Sequence, residues 1–347
     1  MCGDHSDTGS IQGVLVSGRR AGRSGGAEGV IMEYGRPRLA VSSCLLGEPV
    51  RHNGEHCRAR FLTDVLAPFV DWVAICPEME LGLGAPRETL RLERSAEGPR
   101  LMTRRSRRDL TPAMTALAAG RAATLHVDGY VFKAKSPSCG IHGIPLYAGD
   151  TAVDRRRRGL FADAVIRSHP LLPVEDDGRL NDAVLREAFV ERVFAHARLR
   201  ALMRGGPRPG DLVAFHSRHK MQLLAHSPAG YRETGRLVSQ AGLRDRAELM
   251  DGYSQAFRRT LAVRSSVGRH VNVLQHCLGM VSDRLDDARR ADLAEVIGSY
   301  QRREVALSAP LALLRHHALG VSATYVQEQT YFAPYPEQLG LRNHIAA

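Results

Sequence analysis

The chain is 347 residues long, with 44% apolar and 24% charged residues, the balance of a folded globular protein and not of a disordered or fibrous one. No apolar run nears the ~20 residues that span a bilayer, and the N-terminal stretch holds no apolar core longer than Val14-Leu15-Val16, so a cytoplasmic protein is expected. The formal charge is +11, carried almost wholly by arginine, since lysine occurs only at 133, 135 and 220; such a chain attracts polyanions, nucleic acid among them.

The length favours two domains. Residues 1–35, rich in Gly, Ser and Arg and without periodicity, read as a flexible extension. Strand-like apolar runs follow at 39–41, 70–75 and 129–134. Each gives way to a turn: Ser42-Ser43-Cys44, Cys76-Pro77 and Ser136-Pro137. Helix-like stretches lie between them at 61–69 and 111–123, the second opening with Thr111 as N-cap before Pro112. Residues 154–158 are a charged surface run, and helix is expected to dominate from Leu180 to Arg200. The alternation predicts an α/β layered domain with a largely parallel sheet over residues 36–200. Residues 201–210, with Gly and Pro stacked between Arg204 and Gly210, read as a linker.

Residues 211–347 are predicted to be all-α. Asp211 is a candidate N-cap, and Ser227-Pro228 a stop. Val263, Val267, Val271, Leu274, Leu278 and Val281 fall on one helical face. Leu293, Val296, Ile297, Tyr300 and Leu307 suggest a third helix, broken by Pro310.

Six cysteines are present, at 2, 44, 57, 76, 139 and 277, and no two form a CxxC pair. In a cytoplasmic chain they are not expected to be a disulfide framework. Cys44, Cys76 and Cys139 each sit where a predicted strand turns, and ligands of α/β sheets bind beyond the carboxyl ends of strands. Three converging thiolates suit an iron–sulfur cluster or zinc. Their separations of 32 and 63 residues match no local metal signature, and three buried core thiols are the alternative. Cys57 reads as a bystander, Cys277 as core, and Cys2 belongs to the extension.

Several stretches resemble the thiouracil desulfidase family in order along residues 36–196: Arg38-Leu-Ala-Val-Ser-Ser-Cys44-Leu-Leu-Gly47, Arg51-His-Asn-Gly54, Cys76-Pro-Glu78, Gly82-Leu-Gly-Ala-Pro-Arg87-Glu88, Arg108-Asp-Leu-Thr111 and Lys133-Ala-Lys-Ser136-Pro-Ser-Cys139-Gly140. The second half is similar to the helical domain often fused to that family, through Arg218-His-Lys220, Leu224-Ala-His-Ser-Pro228-Ala-Gly-Tyr231, His270-Val-Asn-Val-Leu-Gln-His276 and Leu341-Arg-Asn-His-Ile345. The combination resembles bacterial tRNA 4-thiouridine desulfidases.

The resemblance implies a [4Fe-4S] cluster held through three irons by Cys44, Cys76 and Cys139, with the fourth iron open to the substrate's sulfur. It implies replacement of a pyrimidine thiocarbonyl by a carbonyl with release of hydrosulfide, and proton transfers by Glu78 and by Ser136 or Ser138, with Ser136 favoured. The chemistry is consistent: the exchange consumes no electrons, soft sulfur leaves best from a soft metal, and a nearby carboxylate can take the proton of the attacking water.

Arg51, Asn53, Arg87 and Lys135 are candidate substrate contacts, and Glu88 is expected to pair with Arg87 as loop support. Strand alternation puts Lys133 and Lys135 on one face. Arg218 and Lys220 on one predicted helix, and Arg264 and Arg269 on another, are candidate tRNA contacts, because phosphates dominate nucleic-acid affinity. His270 and His276 are six apart, the wrong spacing for one helical face. No RNA-recognition aromatics appear, and both halves share the positive excess, so tRNA is expected across both, with the target base flipped out. The rival readings are a desulfidase of free thiouracil, thiouridine or its monophosphate, and a noncatalytic tRNA-binding or oxygen-sensing iron–sulfur protein. Neither a membrane nor an obligate protein partner is expected.

Overall fold

The structure is a computed structural model that describes residues 36–345; the extension expected at 1–35, with Cys2, lies outside the described residues. The chain enters strand β1 (Arg38–Ser42), turns through a short 3-10 segment (Ser43–Leu46), and reaches β2 (Asp71–Ile75) after the helical stretch 61–69. A single turn of helix, α1 (Pro77–Glu80), leads to β3 (Leu90–Ser95), β4 (Gly98–Thr103) and α2 (Thr111–Thr124). Then come β5 (Gly129–Phe132), β6 (Ile144–Ala148), β7 (Thr151–Arg157), α3 (Leu160–Ser168) and β8 (Val174–Asp176).

Two four-stranded sheets result. One has the order β2-β1-β5-β8 with every pairing parallel, Ser42 opposite Ile75 and Val41 opposite Val131. The other, β4-β3-β6-β7, is mixed, with only β3 and β6 parallel. The α/β expectation holds, and its three predicted strands are three neighbours of the parallel sheet.

Strand alternation sorts the core. Leu39, Val41 and Val131 pack on one side with Phe189, Val190 and Val193. Ala40, Tyr130 and Phe132 pack on the other with Met114 and Ala118 of α2 and Phe161 and Val165 of α3. A sheet covered on both faces explains the unbroken apolar runs. Each fully buried large side chain contributes about 1.5–3 kcal/mol of transfer free energy.

The helix that covers the first side is α4 (Ala183–Arg204), capped by the Asp182 carboxylate, which accepts from the Val184 and Leu185 amides. Arg200 near its end grips the buried Asp128 through two bonds of 2.7 and 2.6 Å, and Asp128 also accepts from the Arg38 amide. This fixes α4 to the start of β1 and β5, the end of the sheet away from the cysteines.

Four residues, Gly205–Arg208, separate α4 from α5 (Pro209–His226). The helical half continues through α6 (Pro228–Val238), α7 (Arg246–Ala262), α8 (Val267–Val281), α9 (Asp287–Gln301), α10 (Ser308–Gly320) and α11 (Thr324–Gln327). The C-terminal segment returns to α4, placing Tyr335, Leu339 and Leu341 in the core beneath the parallel sheet. Among the described residues no helix is long and apolar enough to cross a membrane.

Several local expectations change. Thr111 is the first residue of α2 and not its cap; its hydroxyl accepts from the Leu101 amide, while Asp109 takes the Thr111 amide. Helix α5 starts at Pro209, so Asp211 is its third residue and not its cap, and its carboxylate accepts from the Arg208 amide. Val263 is not on the α8 stripe: the chain breaks after Ala262, Ser266 caps α8, and Val263 is 40% exposed. Leu307 precedes α10, and Pro310 sits in its first turn, where a missing amide costs nothing, so it opens that helix instead of breaking the previous one.

Candidate active site

The three parallel strands β2, β1 and β5 end side by side, and each delivers one thiol. Cys44 follows β1 in the 3-10 turn, Cys76 follows β2 as the residue before α1, and Cys139 follows β5. All three line one cavity of about 370 Å³, together with Glu78, Ser136, Lys135, Arg87 and Arg51. That volume lies in the range of small-molecule sites.

Backbone packing holds the Cys139 turn. The Gly140 amide donates to the Ser136 carbonyl, and the Gly159 amide to the Gly140 carbonyl, at 2.8 and 2.7 Å. A Cβ on Gly159 would stand 2.4 Å from the Ser138 carbonyl, so only glycine allows that approach. The Ser136 hydroxyl accepts from the Ser138 and Cys139 amides at 3.2 and 3.1 Å. It also donates to Glu78 at 3.5 Å, the long limit of such a bond. The other Glu78 oxygen lies 3.7 Å from the Cys76 sulfur. Glu78 is therefore a buried carboxylate between a thiol and a hydroxyl. Ser138 does not line the cavity; it is fully buried, with no hydrogen-bond partner for its hydroxyl among the described residues.

All three cysteines are free thiols. Burial pushes Cys44 up to about 12, against the pull of the Lys133 ammonium, and pushes Cys76 up to about 11; Cys139 lies well above the usual range for the same reason. A thiol in such a place becomes a thiolate when a metal cation sits beside it. Among the described residues, no three His, Cys, Asp or Glu side chains close tightly enough around one point to hold a single ion. The three thiols line one cavity together. The donor set, three thiols at one cavity, fits an iron–sulfur cluster.

The other expected site residues divide. Lys135 lines the cavity, with its backbone in the left-handed region (φ 62). Lys133 reaches Asp177 at 2.8 Å, closing the ends of β5 and β8. Arg51 lines the cavity and faces Glu55 at 3.8 Å. Asn53 does not line it; its side chain closes the turn with Glu55. Arg87 lines the cavity, but its guanidinium is spent on the Val50 and Gly84 carbonyls at 2.8 and 2.7 Å. Glu88 does not pair with Arg87: it accepts from the Arg105 and Ser106 amides and the Ser106 hydroxyl. Cys57, expected as a bystander, lines the same cavity, and its amide donates to the Cys44 carbonyl. Its proximity was hidden because it comes from the loop after β1 and not from a strand end.

In the helical half the expected tRNA contacts are mostly occupied. Arg269 donates to the His226 and Arg264 carbonyls, bracketing the α7–α8 junction. Arg218 is engaged within the chain, and Lys220 is half-buried. Arg264 is exposed, in the loop between α7 and α8 and not on a helix. His270 is buried, bonded to the Tyr331 and Ser265 hydroxyls, and Cys277 is core.

Residues 39–177 match the family model described as 2-thiouracil desulfurase, and residues 220–336 match that of a protein of unknown function, DUF1722. The Escherichia coli (strain K12) protein described as "Uncharacterized protein YbgA" is 34% identical over 155 residues, covering 44% of this chain and 90% of the relative. A solved structure described as the [4Fe-4S]-dependent thiouracil desulfidase TudS is 29% identical over 42% of this chain and 94% of that chain, with a TM-score of 0.34.

Proposed function

We propose that this chain, which belongs to the family of Escherichia coli YbgA and carries a 2-thiouracil desulfurase domain, removes sulfur hydrolytically from 4-thiouridine in tRNA, releasing hydrosulfide without net electron transfer. The observation that carries the reading is the delivery of three thiols from three neighbouring parallel strands to one cavity that also holds a buried carboxylate. Cys44, Cys76 and Cys139 would hold a [4Fe-4S] cluster. When bound, the cluster supplies a soft Lewis acid for the thiocarbonyl sulfur.

The remaining work falls to the protein. Water adds its oxygen to the ring carbon and the carbon–sulfur bond breaks. Of the two water protons, one goes to Glu78 and the other leaves with the sulfur as hydrosulfide. Glu78, buried and within reach of both Cys76 and Ser136, is placed to hold that proton. Ser136, held by the Ser138 and Cys139 amides, orients the carboxylate; Ser138, outside the cavity, has no part in the reaction. Lys135 and Arg51 present cations to the substrate from the cavity wall. A tRNA substrate makes the cytoplasm the site of action.

The family description favours a second reading, in which free thiouracil, thiouridine or its monophosphate is the substrate. Anaerobically reconstituted protein distinguishes them. Loss of thiocarbonyl absorbance from tRNA with stoichiometric sulfide supports the first reading, and turnover of the small compounds alone supports the second. An intact cluster without any turnover contradicts both.

A further inference from the structure

We infer that the loop Arg104–Arg108, at the rim of the cavity, grips the phosphates of the RNA strand that carries the substrate base. The inference rests on the RNA-borne substrate proposed above and places the contact in the α/β half.

The loop leaves β4 at Thr103 and closes on itself. The Thr103 amide donates to the Arg108 carbonyl at 3.0 Å, and the Arg108 amide to the Thr103 hydroxyl at 2.7 Å. It is also fastened to the cavity wall. The Arg104 amide donates to the Thr89 carbonyl at 3.0 Å, and Ser106 donates to Glu88 through its amide and hydroxyl at 2.8 and 2.7 Å. Glu88 and Thr89 both line the cavity. The carboxylate thus spends itself on the loop's backbone and leaves the arginines alone.

Four of the five loop residues are arginines, all exposed. Arg107 is neutralised by Glu93. Arg104, Arg105 and Arg108 have no carboxylate partner among the described residues. An unanchored run of this kind is ordinarily a solvated face. This one is held rigid one residue from the cavity lining, so a bound anion does not have to order the loop first. Guanidinium forks pair bidentately with phosphate, and a backbone gripped here leaves a flipped base facing the site. The helical half offers less, since Arg269 and Arg218 are engaged within the chain.

The test measures binding of unmodified tRNA to the cluster-loaded full chain over a salt series, so it is read whether or not the protein turns thiolated tRNA over. For R104Q/R105Q/R108Q the expected result is at least a tenfold weaker Kd, and a slope of log K against log salt shallower by about 2–3. R104K/R105K/R108K, which keeps the charge, should recover most of the loss; a variant that had merely disturbed the fold would not be rescued. Equal affinity and slope for wild type and the glutamine variant, or no tRNA binding by wild type, overturns the inference. Absence of sulfide release from thiolated tRNA by a protein that binds tRNA through this loop would instead overturn the functional reading and leave the contact standing.

Discussion

The two halves of the molecule use polar side chains in opposite ways. At the ends of β2, β1 and β5, Cys44, Cys76, Cys139 and Glu78 line one cavity, where the Glu78 carboxylate lies 3.7 Å from the Cys76 sulfur. Where the helical half meets α4, the motif residues His226 and Arg342 are buried against its carboxylates. Glu191 of α4 accepts from Gln222 at 2.8 Å and faces His226 at 3.4 Å and Arg342 at 3.8 Å. Arg342 also binds Glu187 at 2.9 Å, and Tyr335 donates to the same carboxylate. Burial alone would push the Glu191 carboxyl up, but His226, Arg342 and Gln222 hold it well below the usual range. His226 and Arg342 of the second half's motifs thus lock α4, α5 and the C-terminal segment together, while the motif cysteines of the first half line a cavity. A motif rich in His and Arg does not by itself announce a binding surface.

The largest effect is expected at the thiols. Cys44→Ala, Cys76→Ala and Cys139→Ala should each nearly abolish bound iron and sulfide, whereas Cys57→Ala, in the same cavity, should retain both. Iron and sulfide assays on the four variants check this, and equal retention in all four would erase the distinction between the halves. Glu78→Gln should keep the cluster's absorption and lower turnover by about 10²–10⁴, the usual share of a general acid–base group.

Beneath the sheet, Arg342→Met strips Glu187 and Glu191 of their buried guanidinium and should cost about 3–5 kcal/mol in denaturant unfolding, with iron content per folded chain unchanged. A loss limited to activity would make Arg342 part of a site instead of a lock. A separate effect on stability is set by pH. Burial lowers His219 and His270 to about 3 and His216 to about 4. Below the ordinary histidine range the unfolded chain takes up protons that the folded one refuses. Each group therefore removes up to about 1.4 kcal/mol per pH unit as pH falls from ~6.5 towards its folded value. Amide exchange in α5 and α8 should quicken from pH 7 to 5 once corrected for intrinsic rates; unchanged protection would contradict the burial of neutral imidazoles.

Much of the site was legible because parallel strands covered on both faces are continuous apolar runs, and each ended on a cysteine beside Pro or in a Ser turn. The mixed sheet was not, since Leu90-Arg-Leu-Glu-Arg-Ser and Thr151-Ala-Val-Asp-Arg-Arg-Arg expose one or both faces and read as charged loops. The α7–α8 break was masked because Val263 keeps helical phase with Val267; Ser265-Ser266 was the available signal. Residue type could not say whether Arg269 meets phosphates or carbonyls, nor that Glu88 anchors a loop instead of pairing with Arg87. Those outcomes depend on which backbone groups the fold leaves without partners.

Hydrolysis at the three-thiol cavity is decided by turnover in ¹⁸O-labelled water. With anaerobically reconstituted protein and thiolated tRNA or nucleoside, the expected result is one ¹⁸O at the former thiocarbonyl carbon of each product uridine and one hydrosulfide released, with no added reductant. Desulfurised product without the label, or a requirement for an electron donor, would contradict it.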